Sequence, residues 1–240
     1  MTGDVKKFHD LNELSEAAAM EIADLIVGTV SRTGSFSLAL SGGSTPKTLH
    51  KLLATVYRRK IPWESVSIFF GDERFVPHED SQSNYRMAFE TLLSLVPIPD
   101  RNIHPIPTDQ PDPMKAAEAY ETNLRDYFPE NGSSFDLVIL GMGKEGHTAS
   151  LFPNSPALDE KRRWAMSVEV PAVPNRRITL TYPILNRASA VYFLVSGSDK
   201  RDALKEVLGR RSDFHTYPAK GINPIRGMLE WWVDSAALTS

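Results

Sequence analysis

Residues 36–46 read Phe36-Ser37-Leu38-Ala39-Leu40-Ser41-Gly42-Gly43-Ser44-Thr45-Pro46, and their reading decides the fold. The first five form a short run with no polar face, as expected of a strand covered on both sides. Ser41 to Thr45 is a glycine-rich turn. Pro46 suits the first position of a helix, where its missing N–H costs nothing, and helical spacing continues to Val56. Strand, tight turn and helix together are the unit from which open parallel sheets are built.

Outward from this unit the pattern repeats. Short apolar runs at Val66 to Phe70, Phe135 to Leu140, Ile178 to Thr181 and Val191 to Val195 alternate with helical stretches. The predicted helices are Asn84 to Leu95, Asp112 to Phe128 with Pro113 first, and Asp199 to Leu208. Near the N-terminus, Asp10 and Glu13 have capping-box spacing, and Leu11, Leu14, Ala18, Ile22, Leu25 and Ile26 recur at helical intervals as far as Gly34. The chain is therefore expected to open with an amphipathic helix. The fold class is α/β: a Rossmann-like, open, mostly parallel sheet with helices on both faces, formed by one domain over residues 1–240. Prolines 97, 99, 105, 107, 111 and 113 mark an irregular connection.

Composition removes several functional classes. With no cysteine among 240 residues, thiol catalysis, thiolate zinc sites and disulfides are excluded. No stretch has the ~18 apolar residues of a membrane span, and Met1 to Asp10 holds no signal-like apolar run. The net charge of −3, with signs interspersed, gives no basic field for nucleic acid. The expectation is a cytoplasmic protein, a monomer or weak homo-oligomer with no membrane or nucleic-acid partner. Any anion it binds must be held locally.

Ligands of open parallel sheets lie beyond the carboxyl ends of the strands, where this sequence places four polar clusters. They are Ser41-Gly42-Gly43-Ser44-Thr45, Gly71-Asp72-Glu73-Arg74, Gly141 to Thr148, and Ser196-Gly197-Ser198-Asp199-Lys200. The first turns backbone N–H groups and hydroxyls toward whatever occupies a helix N-terminus. Either a phosphate or a plain Ser/Thr cap satisfies it. Asp72 and Arg74 are candidate site residues by position. Lys200 near a helix start opposes the dipole unless an anion is present, and Arg177 opens the run at Ile178.

Gly141, Gly143 and Gly146 match the dinucleotide fingerprint G-x-G-x-x-G. However, His147-Thr148-Ala149-Ser150-Leu151-Phe152 runs into Pro153 instead of a long helix, so that reading is rejected. The glycines instead let the chain turn and present His147, the one histidine of six outside helical or proline-rich surroundings. Neither H-E-x-x-H nor G-x-S-x-G occurs, which argues against a catalytic metal and a serine hydrolase.

Together these segments resemble the 6-phosphogluconolactonases and, more distantly, the glucosamine-6-phosphate isomerase/deaminases. The resemblance rests above all on Gly146-His147-Thr148-Ala149-Ser150-Leu151-Phe152-Pro153, and extends to Tyr217-Pro218-Ala219 and Trp231-Trp232. It implies hydrolysis of a phosphosugar lactone, 6-phosphogluconolactone, in the oxidative pentose phosphate pathway, with no cofactor. The phosphate would lie on Ser41, Gly42, Gly43, Ser44 and Thr45 with Arg177 and Lys200, and His147 would stand over the lactone. In the deaminase branch a glutamate occupies the place of Phe152, and a phenyl group cannot exchange protons. Both branches usually carry aspartate two residues before the histidine; here Glu145 extends the carboxylate by one methylene. On this reading His147 is the general base, Glu145 or Asp72 holds its tautomer, and Arg74 or loop N–H groups face the oxyanion. A non-catalytic phosphosugar sensor is a third reading, but there is no helix-turn-helix segment to support it.

Overall fold

The runs without a polar face lie at the centre of a parallel sheet. The computed structural model describes residues 3–238. In chain order the elements are β1 (Asp4–Phe8), α1 (Leu11–Thr33), β2 (Phe36–Leu40), α2 (Ser44–Thr55), β3 (Val66–Phe70), β4 (Asp72–Arg74), α3 (Asn84–Thr91), α4 (Pro113–Tyr127), β5 (Leu137–Leu140), β6 (Ala165–Glu169), β7 (Arg176–Leu180), α5 (Tyr182–Leu185), β8 (Ala190–Val195), α6 (Arg201–Leu208) and β9 (Met228–Asp234). Six strands pair in the order β1-β9-β8-β5-β2-β3, all parallel. Every residue of β2, β3, β5 and β8 is buried, as strands covered on both faces require. The α/β fold with a mostly parallel sheet is as the sequence predicts.

α1 is set by its ends. The Asp10 carboxylate accepts from the Asn12 and Glu13 amides at 2.8 and 2.9 Å, Glu13 reaches back to the His9 amide at 2.6 Å, and Gly34 closes the last turn. At the β3 edge, the Tyr120 hydroxyl from α4 accepts from the Phe70 amide and donates to the Phe70 carbonyl, both at 2.9 Å. One side chain thus satisfies both backbone groups that Phe70 would leave open at the sheet edge.

Several expectations need correction. The chain opens with strand β1, not a helix; Asp-Val-Lys-Lys-Phe is too polar to read as a strand because it is an exposed edge. β9 pairs on both sides, yet only its two tryptophans stand out in the sequence. α2 starts at Ser44, so Pro46 is its third residue, still within the turn that has no intrahelical N–H bonds. α3 stops at Thr91, and α6 starts at Arg201 after a single 3₁₀ turn, Ser198–Lys200.

The main departure is a second sheet. The run at Ile178 does not join the parallel sheet: β7 pairs antiparallel with β4 and β6. Asp72 to Arg74, read as a loop cluster, is the short strand β4. Gly71 is the corner at which the chain leaves one sheet for the other: its amide donates to the Leu40 carbonyl of β2, and its carbonyl accepts from the Leu180 amide of β7, both at 2.8 Å. A lone apolar run cannot reveal which sheet it joins, because parallel and antiparallel partners can bury it equally well.

Candidate functional site

β2 lies between β3 and β5, so the loops leaving β2 and β5 diverge at a topological switch point, where open sheets leave a crevice. A cavity of ≈ 330 Å³ occupies it. All four clusters contribute to its wall: Ser41 to Pro46, Asp72 and Arg74, Gly141 to Gly143 with His147, and Ser196 with Lys200. Arg177 completes the cationic side. Of the residues expected at the site, only Glu145 lies outside the lining, one step back against His147.

Each group is placed by local structure. Along β4, side chains alternate, so Asp72 and Arg74 face the cavity while Glu73 points the other way. Glu73 is 1 % exposed and accepts from the amides of Arg74, Asn84 and Tyr85 at 2.7 Å each and from the Ser83 hydroxyl at 3.0 Å, fastening β4 to the start of α3. Burial pushes its carboxyl up, and the three amides only partly offset that rise. The Asp72 carboxylate accepts from Ser150 Oγ at 2.6 Å and Asn84 Nδ2 at 3.3 Å. Asn84 packs so closely on the Ser41 to Thr45 turn that a Cβ at Gly42 would lie 2.0 Å from its Oδ1, so that position admits only glycine.

The His147 loop is folded back on itself. The Gly143 amide donates to the His147 carbonyl at 2.9 Å, and Thr148 Oγ1 donates to the Gly141 carbonyl at 2.9 Å. A Cβ at Gly143 would stand 2.0 Å from His147 Nδ1, so the middle glycine makes room for the imidazole and not for a pyrophosphate. Oε2 of Glu145 lies 3.3 Å from Nδ1 but off the axis of a hydrogen bond, and Nδ1 is buried without a partner. Burial lowers the proton affinity of the imidazole; the carboxylates of Glu145 and Asp72 act against that, and Lys200 adds to it. The ring of Phe152 stacks on the imidazole with centroids 4.0 Å apart and planes 13° from parallel.

On the cationic side, Arg74 Nη1 donates to the Gln82 carbonyl, while its Nε is buried without a partner. Arg177 sits opposite Arg74 in the β4–β7 register and holds the Pro174 carbonyl through Nε at 2.7 Å. Burial and then the Arg74 charge weaken the hold of Arg177 on its proton. Lys200 lies 2.9 Å from Asp199. Two cross-strand guanidiniums in one pocket are mutually repulsive until an anion lies between them. Among the described residues, no cluster of three His, Asp or Glu side chains has the arrangement to hold a metal, and no helix is long and apolar enough to cross a membrane.

Sequence reasoning missed Asn84, Ser150 and Asp234. The last accepts from Ser196 Oγ at 2.6 Å and shapes the turn before Lys200. Asn84 follows Ser83, whose hydroxyl caps α3 by accepting from the Arg86 amide at 3.1 Å, but nothing local says that its side-chain amide reaches Asp72.

The profile of a family described as Glucosamine-6-phosphate isomerases/6-phosphogluconolactonase matches residues 9–231. A 6-phosphogluconolactonase of Synechocystis sp. is 41 % identical over 227 residues, covering 93 % of this chain and 92 % of that one. The structure of 6-phosphogluconolactonase from Trypanosoma brucei superposes with a TM-score of 0.87 at 30 % identity, covering 98 % of this chain and 97 % of that one. A monomeric glucosamine-6-phosphate deaminase shares the fold, with a TM-score of 0.80 at 18 % identity over 98 % of both chains.

Proposed function

The chain belongs to the glucosamine-6-phosphate isomerase/6-phosphogluconolactonase family, and from that premise we propose how its pocket performs lactone hydrolysis. The enzyme is a lactonase of carbohydrate metabolism that converts 6-phospho-D-glucono-1,5-lactone to 6-phospho-D-gluconate in the pentose phosphate pathway. The observation that carries the mechanism is the convergence of His147, Arg74, Arg177 and Lys200 with the Ser41 to Thr45 turn on one cavity.

With Nδ1 buried, Nε2 of neutral His147 takes a proton from a water as the water oxygen bonds to the lactone carbonyl carbon. A histidine whose ordinary pKa of ~6.5 is lowered is ready for this role at neutral pH. Arg74 lines the same cavity, which supports a role for its guanidinium as donor to the developing oxyanion. Collapse of the tetrahedral intermediate breaks the bond from the carbonyl carbon to the ring oxygen, which takes the proton back from the imidazolium. Glu145, 3.3 Å from Nδ1, and more distantly Asp72 stabilise that imidazolium by charge. Because Ser150 and Asn84 bind the Asp72 oxygens, Glu145 is the main counter-charge of the ring, acting by charge and not through an aligned hydrogen bond. The phosphate rests on the first amides of α2 with Ser41, Gly42, Gly43, Ser44 and Thr45, and Arg177 and Lys200 neutralise it.

The deciding experiment follows lactone disappearance by a coupled assay with a no-enzyme control, because the substrate also hydrolyses spontaneously. Acceleration of the phosphorylated lactone, little for gluconolactone, and no product from glucosamine 6-phosphate are expected. Equal kcat/KM for the two lactones would move the phosphate site elsewhere. We further propose that the protein is cytoplasmic and a monomer or weak homo-oligomer, the oligomeric state being testable by size-exclusion chromatography.

A further inference from the structure

A catalytic histidine is usually oriented by a hydrogen bond to its second nitrogen. No well-aligned bond of that kind is made here: Nδ1 of His147 is buried, and the nearest carboxylate oxygen, on Glu145, is off axis at 3.3 Å and contributes mainly by charge. The orientation of the ring must therefore come from packing. On one edge, Nδ1 and Cε1 abut Gly143, where a Cβ would come within 2.0 and 2.1 Å of them. Over its face lies Phe152, nearly parallel at 4.0 Å. Phe152 is itself held. It leaves a tight turn in which the Leu151 amide donates to the Thr148 carbonyl at 2.9 Å, its own carbonyl accepts from the Ser155 amide at 3.1 Å, and Ala149 takes a left-handed φ of 47°. The turn bends residues 148–151 enough to lay residue 152 on residue 147.

We propose that Phe152 is the positioning residue for His147, its ring fixing the plane in which Nε2 meets the attacking water. This rests on the reading of His147 as the base. A flat partner confines rotation about the outer imidazole torsion, which is otherwise broad, and keeps water from one face of the ring. The charged groups around the imidazole are Glu145 from the same loop, Asp72 from β4 and Lys200 from the turn before α6; Arg74 and Arg177 line the same cavity. None of them is altered by a change at Phe152, so a shift in titration after substitution reports the stack itself.

The test compares Phe152→Leu, apolar without a plane, with Phe152→Tyr, which keeps the plane. For the leucine variant kcat should fall about tenfold with KM within about twofold, as expected when a base is present but poorly aimed. The acid limb of its kcat/KM profile should move to higher pH as water reaches the ring. The tyrosine variant should keep both at their wild-type values. In NMR, the His147 ring protons should lose their upfield ring-current shift in the leucine variant and regain it with tyrosine. Phe152→Met replaces leucine if that variant does not fold. An unchanged kcat, an unmoved acid limb, or equal losses in the leucine and tyrosine variants would overturn the proposal. Should the wild type fail to hydrolyse the lactone, the proposed function falls, and the NMR titration of His147 still decides whether Phe152 controls its ring.

Discussion

The two sheets serve the pocket differently. The six-stranded sheet contributes turns: β2, β5 and β8 are buried along their whole length, and its functional groups stand on the loops that leave them. The three-stranded sheet contributes side chains from the strands themselves, Asp72 and Arg74 on β4 and Arg177 on β7. In the first, backbone conformation decides what reaches the ligand. In the second, the two-residue alternation of a strand decides, and it assigns adjacent acids to different tasks: Asp72 to the cavity, Glu73 to the support behind it.

Four expected outcomes sharpen or break this contrast. The largest lies behind the small sheet. Glu73→Ala leaves three amides and a hydroxyl without their acceptor, and should cost about 4 kcal/mol of stability in urea unfolding. A loss below about 1 kcal/mol would mean that β4 is held by its strand pairing alone.

On the large-sheet side, His147→Ala should lower kcat by ~10²-fold or more while phosphosugar binding stays largely intact, since a base acts mainly in the transition state. A near-wild-type kcat would remove the β5 loop from the chemistry.

Arg177→Ala and Lys200→Ala should mainly raise KM, by roughly tenfold to a hundredfold for a lost charge-assisted bond to phosphate. These two cations come from different sheets. A KM effect confined to one of them would place the phosphate against that sheet alone.

The smallest effect concerns the seam between α2, which follows the large sheet, and α3, fastened to the small one. His50 on α2 is fully buried, 3.2 Å from Thr91 Oγ1 on α3, and burial holds its pKa down at about 4. The unfolded chain takes up this proton near ~6.5, so stability is full above that value and is lost as pH falls through 6.5 toward 4. Between about pH 7 and pH 5.5 the wild type should lose about 1 kcal/mol more than His50→Leu. Parallel pH dependence in the two proteins would show that the seam opens to water.

The sequence alone determined the parallel sheet, the capped first helix, the turn at Ser41 to Thr45 and the prominence of His147. All of these are written within a few residues, because apolar runs, glycines and caps act on their own neighbourhood. It also separated the two branches at Phe152, where a chemically inert side chain stands in for a carboxylate. Tertiary structure alone decided that Ile178 and Asp72 share a second, antiparallel sheet, since a strand's partner lies far away in the chain and pairing leaves no local mark. It likewise decided that Asn84 and Ser150 hold Asp72, that Arg74 faces Arg177, and that Phe152 covers the imidazole. Each of these contacts depends on the direction of a side chain across a fold, which spacing along the chain does not encode.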